Sequence, residues 1–201
     1  MTSHVVEGRA LPDAIAGHPA LELCNTKALG GLPSEREYLS DFAVLVLWAR
    51  EHGLVSPAET RLLRGGAFTN REQHAALRQV RALRAALYSA VTGPSARAAA
   101  LADVHGYVAR AVARAEYRPD GGPQRLHLPL CPTVLADRAA LCAHQLLEEH
   151  GTDAVGRCAA SACGWVFLDP SHRRRWCVMA VCGNREKARR FADRRRARTG
   201  G

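Results

Sequence analysis

Four of the seven cysteines stand together near the end of the chain, in the pattern Cys158-x4-Cys163-x13-Cys177-x4-Cys182. Two close pairs separated by a short span can supply four sulfurs to one tetrahedral metal site. Soft thiolate ligands favour Zn²⁺ over hard cations such as Mg²⁺. The pattern therefore predicts one structural Zn²⁺ per chain, with these four cysteines as its ligands.

The zinc site bears on whether the chain is an enzyme. Four thiolates fill the coordination sphere, so no position remains for a substrate. The sequence also lacks a phosphate-binding loop, a nucleophile elbow and a histidine-rich metal motif. We therefore expect no catalytic residues and no catalytic activity.

The remaining cysteines, Cys24, Cys131 and Cys142, show no pairing pattern and are expected to be small buried side chains. The N-terminus lacks a basic segment followed by an apolar one, and the longest apolar run, residues 42–49, is too short to span a bilayer. We therefore expect a cytoplasmic protein with no membrane partner, in which paired cysteines bind metal rather than form disulfides.

Charge is distributed unevenly along the chain. Residues 157–201 contain 12 Lys or Arg and 3 Asp or Glu, whereas residues 1–156 contain 16 of each kind. A neutral body followed by a basic, metal-bearing end is typical of a module that binds polyanions.

Helix signals dominate the neutral body. Capping boxes at 34–37, 56–59 and 69–72 predict three helix starts, and further helices are expected at about 95–116 and 132–149. Gly151 should end the last of them. In the first 33 residues, only 20–24 should be ordered, as a short strand or a turn of helix.

Short strands are expected beside the first cysteine pair, at 155–158 and 164–169, and also at 125–130. The fold class is therefore mostly α, with a few short strands. We expect a helical N-terminal domain at 1–152, with a core of its own, and a ββα-like zinc module at 153–201.

The last predicted helix, 185–198, has eight basic residues among fourteen and only two acidic ones. That excess is more than solubility requires and favours contact with phosphates. A narrow apolar strip, Ala188, Phe191 and Ala192, predicts that the helix leaves the protein body only near Arg195. The candidate nucleic-acid contacts are Arg173, Arg174, Arg175, Arg185, Lys187, Arg189, Arg190, Arg194 and Arg196.

Two alternatives concern residues close to the metal. Arg175 and Arg185 could instead neutralise the net negative charge of a zinc ion with four thiolates. Trp165, Phe167 and Trp176 could form a small core around the metal or stack on bases.

The segment 158–188 includes the four cysteines and the tetrapeptide Cys182-Gly183-Asn184-Arg185, and it resembles the CGNR-type zinc finger. Residues 17–26 and Trp48 are similar to ABATE, the domain that usually precedes this finger. The resemblance implies a bacterial transcription regulator linked to stress.

The polar residues His18, Asn25 and Thr26 flank a short apolar segment and suggest a ligand pocket for a small-molecule effector. Alternatively, they cap and satisfy the backbone where the chain enters the fold. The apolar helix faces allow a homodimer but do not require one.

Two functions remain open from the sequence. The first is a DNA-binding transcription regulator that uses its zinc module and basic terminal helix. The second is a zinc-stabilised module that docks to RNA or to an acidic protein without reading DNA sequence.

Overall fold

The computed structural model describes residues 2–27, 37–117 and 126–199. Its chain begins with an antiparallel hairpin of β1 (Ser3–Val6) and β2 (Arg9–Pro12). The sequence reading missed this hairpin because most of its side chains are exposed, so that no clear alternation marks it. The short segment at 20–24 is helical, as part of α1 (Pro19–Cys24).

The helices that follow are α2 (Phe42–Glu51), α3 (Pro57–Arg64), α4 (Asn70–Thr92), α5 (Arg97–Arg114) and α6 (Val134–His150). Both capping boxes predicted at Ser56 and Thr69 are confirmed, each with its reciprocal pair of hydrogen bonds. Gly151 ends α6 with a positive φ of 67°, as expected.

The first helix start was predicted wrongly. Residues 37–41 are not helical, and α2 begins at Phe42 with Asp41 as its N-cap, whose carboxylate accepts the Val44 N–H at 2.9 Å. Ser34, the expected cap, lies outside the described residues. Glu37, the other member of that box, instead binds the Arg84 guanidinium at 2.5 and 2.7 Å.

Two short antiparallel pairs complete the sheet structure. β3 (Glu116–Tyr117) pairs with β4 (Leu126–His127), which lies within the strand expected at 125–130. β5 (Val155–Arg157) pairs with β6 (Val166–Leu168), as expected beside the first cysteine pair. A single π-helical turn (Met179–Gly183) then leads into α7 (Asn184–Thr199). The mostly α fold with a ββα zinc module is confirmed.

The expectation of a separate core for the helical body is wrong. One continuous apolar core contains Leu21 and Trp48 of the body together with Trp165 and Phe167 of the zinc module. Helix α1 packs directly on β6. The body and the module therefore bury apolar surface against each other, which makes their stabilities interdependent.

Within 2–27, 37–117 and 126–199, none of the helices combines the length and apolarity needed to cross a membrane.

Candidate metal centre and basic surface

The sulfur atoms of Cys158, Cys163, Cys177 and Cys182 all lie within 4.8 Å of one another. Neighbouring sulfurs are separated by 3.5 Å from Cys163 to Cys177 and by 3.4 Å from Cys177 to Cys182. A tetrahedron with Zn–S bonds of about 2.3 Å has edges of about 3.8 Å. The four side chains, none more than 4% exposed, therefore fit a closed structural zinc site.

Turns and short strands bring these cysteines together. Cys158 follows β5, and its N–H donates to the Trp165 carbonyl across the strand pair at 2.8 Å. Cys163 precedes Gly164, whose φ of 74° turns the chain into β6. Cys182 lies in the π-helical turn, so that the last ligand is continuous with the start of α7.

Hydrogen bonds between the thiols of the cluster shift their pKa values in opposite directions. Hydrogen bonding from Cys163 and Cys177 lowers the pKa of Cys158, whereas hydrogen bonding with Cys158 raises the pKa of Cys163 to about 12. Opposite shifts among neighbouring thiols mean that these sulfurs compete for protons. A zinc ion removes this competition by binding all four as thiolates.

Backbone donors around the sulfurs complete the environment that thiolates need. The Ala160 backbone lowers the pKa of Cys158 by hydrogen bonding, and the Trp165 backbone acts in the same way on Cys163. Such outer-shell hydrogen bonds orient metal ligands and disperse their negative charge.

A Cβ on Gly183 would lie 2.3 Å from the Met179 sulfur and 3.1 Å from the Trp176 ring, so a larger residue would push Met179 away.

The loop before the third ligand is held by Asp169. Its carboxylate accepts the backbone N–H groups of Arg173 at 3.2 Å and Arg174 at 2.9 Å, together with the Ser171 hydroxyl at 3.1 Å. This turn orders the loop and determines the direction in which its arginines leave the backbone.

Arg174, one of the candidate nucleic-acid contacts, points inward from the loop. Its guanidinium donates to the carbonyls of Ile15 at 3.0 Å, Trp176 at 3.1 Å and Cys177, and it lies 4.2 Å from the centre of the Phe167 ring. The planar group thus joins the body to the metal loop and is unavailable for a groove. Three inward-facing carbonyls decide this orientation, and the sequence does not reveal them.

The other predicted basic contacts lie on the surface. Exposed side chains are those of Arg173, Arg175, Arg185, Lys187, Arg189, Arg190, Arg194 and Arg196. Arg175 stacks on the Trp176 ring at 5.1 Å, and Arg189 and Arg190 both approach Glu186, the latter at 3.8 Å. The basic face predicted for α7 is therefore accessible.

Helix α7 leaves the protein body earlier than predicted. Glu186 is buried, but every residue from Lys187 to Ala197 is exposed, and Phe191 is 56% exposed. At 100° per residue, Phe191 lies about 140° around the helix from Glu186, so the apolar strip faces away from the body. Trp165 and Phe167 are fully buried core residues, whereas Trp176 is half-buried.

The three residues suggested as a ligand pocket have structural partners instead. His18 caps α1 through Nδ1, which accepts the Ala20 N–H at 3.2 Å. Asn25 exchanges two hydrogen bonds of 2.9 Å with the backbone of Val166 in β6. Thr26 donates to a backbone carbonyl and accepts from Arg84 at 2.9 Å. Asn25 and Thr26 are fully buried, so the pocket interpretation fails.

Sequence reasoning missed the structural role of Arg84. This residue is 6% exposed and binds both Thr26 and Glu37, which joins α4 to the first segment of the chain. An arginine within the apolar repeat of α4 was the available signal, since a buried charge needs a partner.

Comparison with known families agrees with this architecture. The model described as CGNR zinc finger matches residues 155–195. The ABATE model, described as "Putative stress-induced transcription regulator", matches residues 17–163, which is more than half of the chain. The two matches overlap where β5 and the first cysteine pair lie. No curated protein matches the chain. The chain therefore belongs to the ABATE family and carries a CGNR zinc finger as its C-terminal metal centre.

Proposed function

We propose that the protein is a transcription regulator that binds double-stranded DNA through α7 and the adjoining metal loop. The observation that carries this proposal is that every residue of α7 from Lys187 to Ala197 is exposed, in a helix that begins two residues after a zinc ligand. Burial does not account for the basic residues of this segment, because every side chain from Lys187 to Ala197 is exposed.

The helix has dimensions that suit a DNA groove. Sixteen residues make a rod of about 24 Å, and the major groove is about 12 Å wide and admits an α-helix. Helical spacing places Arg185, Arg189 and Arg196 along one flank. Lys187, Arg190 and Arg194 lie along the other flank. A helix inserted between two phosphate backbones presents basic side chains to both with this arrangement.

The metal centre orients the helix. Cys182 is buried at the zinc, and the π-helical turn runs without interruption into Asn184. A helix anchored in this way loses less conformational freedom on binding than a free segment does. Arg173 and Arg175, which are both exposed on the metal loop, are the loop arginines that remain accessible to DNA.

Fluorescence anisotropy with duplex DNA across a range of salt concentrations tests the proposal. Arg194→Ala should weaken binding to all sequences and reduce the slope of log K against log salt by about 0.9 for one lost phosphate contact. Arg71→Ala is the matched control, because Arg71 is exposed on α4, away from the zinc module. Both variants carry the same charge change.

Two results would contradict DNA binding through α7. One is an equal loss of affinity in the Arg71 and Arg194 variants. The other is tight binding to single-stranded RNA or to an acidic protein with no saturable binding to duplex DNA, which would support the interaction-module alternative.

A further inference from the structure

Three arginines converge on an open pocket of about 670 Å³ that is lined by residues of α2 and α3. Arg50 comes from α2, and Arg61 and Arg64 come from α3, with the Thr60 side chain beside them. Small-molecule sites commonly have volumes of about 300–1,000 Å³. None of the zinc chemistry involves these residues.

A carboxylate of the chain itself already occupies part of this pocket. One oxygen of Glu7 accepts from Arg50 at 2.7 Å, and the other accepts from Arg64 at 2.6 Å. Each guanidinium therefore binds a separate oxygen of one carboxylate. Carboxylates and phosphates are the groups that arginine recognises most readily in this manner.

Glu7 reaches the pocket from the tip of the N-terminal hairpin. It occupies the two-residue turn between β1 and β2 with a φ of 48°, a left-handed conformation that residues other than glycine rarely adopt. The ion pairs of Glu7 are partly exposed, with 41% of its side chain accessible. An exposed pair of this kind is weak enough to be displaced by a competing anion.

The charges around the pocket favour a ligand with more than one anionic group. Arg61 lines the pocket and has no ion-pair partner among the residues that the structure describes. Arg50 also approaches Glu51 at 3.3 Å, so three positive charges face two negative ones while Glu7 is in place. Withdrawal of Glu7 leaves a net charge of about +2 for a ligand to neutralise.

We propose that this pocket binds a small molecule with two carboxylate or phosphate groups, one of which takes the place of Glu7 on Arg50 and Arg64. The second group reaches Arg61, the guanidinium that Glu7 leaves unused. Glu7 thus acts as an internal competitor for the site.

The hairpin also connects this pocket to the metal centre. Three and four residues after β2, the Ile15 carbonyl accepts from Arg174, and the Ala16 carbonyl accepts the Leu168 N–H at 2.7 Å. The segment that follows the hairpin is therefore hydrogen-bonded to the loop and the strand that surround the metal centre.

Isothermal titration of the full-length, zinc-loaded protein tests the proposal with two probes. Succinate carries two carboxylates, and 3-phosphoglycerate carries one carboxylate and one phosphate, so the pair distinguishes the two ligand chemistries. Acetate, with a single group, is the control probe. We expect saturable binding of one molecule per chain for at least one dianion and no saturable binding of acetate.

Variants separate this pocket from the basic helix. Glu7→Gln keeps the shape of the side chain but removes its charge, and it should tighten dianion binding by about 3- to 30-fold, since it frees two exposed ion pairs. Arg61→Gln should weaken binding at least about fivefold. Arg194→Gln on α7 and Arg71→Gln on α4 are matched controls that should leave the affinity unchanged.

Three results would overturn the proposal. The first is that Glu7→Gln does not increase the affinity for the dianions. The second is that Arg194→Gln loses as much binding as Arg61→Gln does. The third is that neither dianion binds saturably to the parent protein or to any variant. Because none of these measurements involves DNA, they succeed or fail independently of the proposed function.

Discussion

The pair of hydrogen bonds between Asn25 and Val166 offers the sharpest test of the shared core. Asn25 follows α1, is fully buried, and joins the helical body to β6 of the zinc module through bonds of 2.9 Å to the Val166 N–H and carbonyl. Asn25→Ala leaves both backbone groups buried without a partner. At about 1–3 kcal/mol for each unsatisfied group, the free energy of unfolding should fall by about 2–6 kcal/mol.

Urea denaturation of the zinc-loaded protein, followed by tryptophan fluorescence, measures this change. Trp48 in the body and Trp165 in the module are both buried in the common core, so both should report one transition. Zinc transfer to a chromogenic chelator should also become faster, because Val166 lies three residues after the ligand Cys163. Asn70→Ala is the control, since Asn70 is exposed at the start of α4 and should change stability by less than about 0.5 kcal/mol.

A loss below about 1 kcal/mol for Asn25→Ala would refute this reasoning. So would an unfolding curve with two transitions in the parent protein, because it would mean that the body and the module hold separate cores.

Two further predictions concern the metal and a buried carboxyl. Removal of zinc by a chelator should alter the near-ultraviolet circular dichroism of Trp48 as well as that of the module, because the cysteine ligands belong to the same core. The difference between the spectra with and without zinc should therefore change in a Trp48→Phe variant, and an unchanged difference would contradict the prediction. Burial raises the pKa of Glu22 to about 7 from 4.5, and one of its oxygens has no hydrogen-bond partner. The folded state therefore holds this proton more tightly, so the contribution of Glu22 to stability is fully present below pH 4.5 and is lost as the pH rises to about 7, by about 3 kcal/mol. Urea denaturation across this pH range should show a smaller decline in Glu22→Gln, and an identical decline would refute the assignment.

The zinc site could be read from the sequence because its signal is local and chemical. The spacing of Cys158, Cys163, Cys177 and Cys182 names both the ligands and the metal, since few other arrangements use four thiolates in this way. Capping boxes at Ser56 and Thr69 were equally readable, because each cap is completed within four residues. The basic excess of α7 was visible for the same reason: charge is a property of composition.

The side-chain directions and partners that the sequence did not predict depend on contacts between segments that are distant in the chain. Arg174 looked like an exposed arginine in a basic loop, yet the Ile15 carbonyl, far away in the chain, draws it inward. Asn25 looked like a ligand residue, yet its partner is 141 positions away. The arginine pocket at Glu7 draws on β1–β2, α2 and α3, none of which carries a motif alone.

The sequence by itself determined the metal, its four ligands, the helical class and the location of the positive charge. Only the tertiary structure decided which arginines remain free, where α7 leaves the body, and that body and zinc module share one core. The physical reason is that ligand identity, helix caps and charge depend on residues close in the chain. The direction of a long side chain depends instead on which carbonyls and carboxylates the fold brings to it.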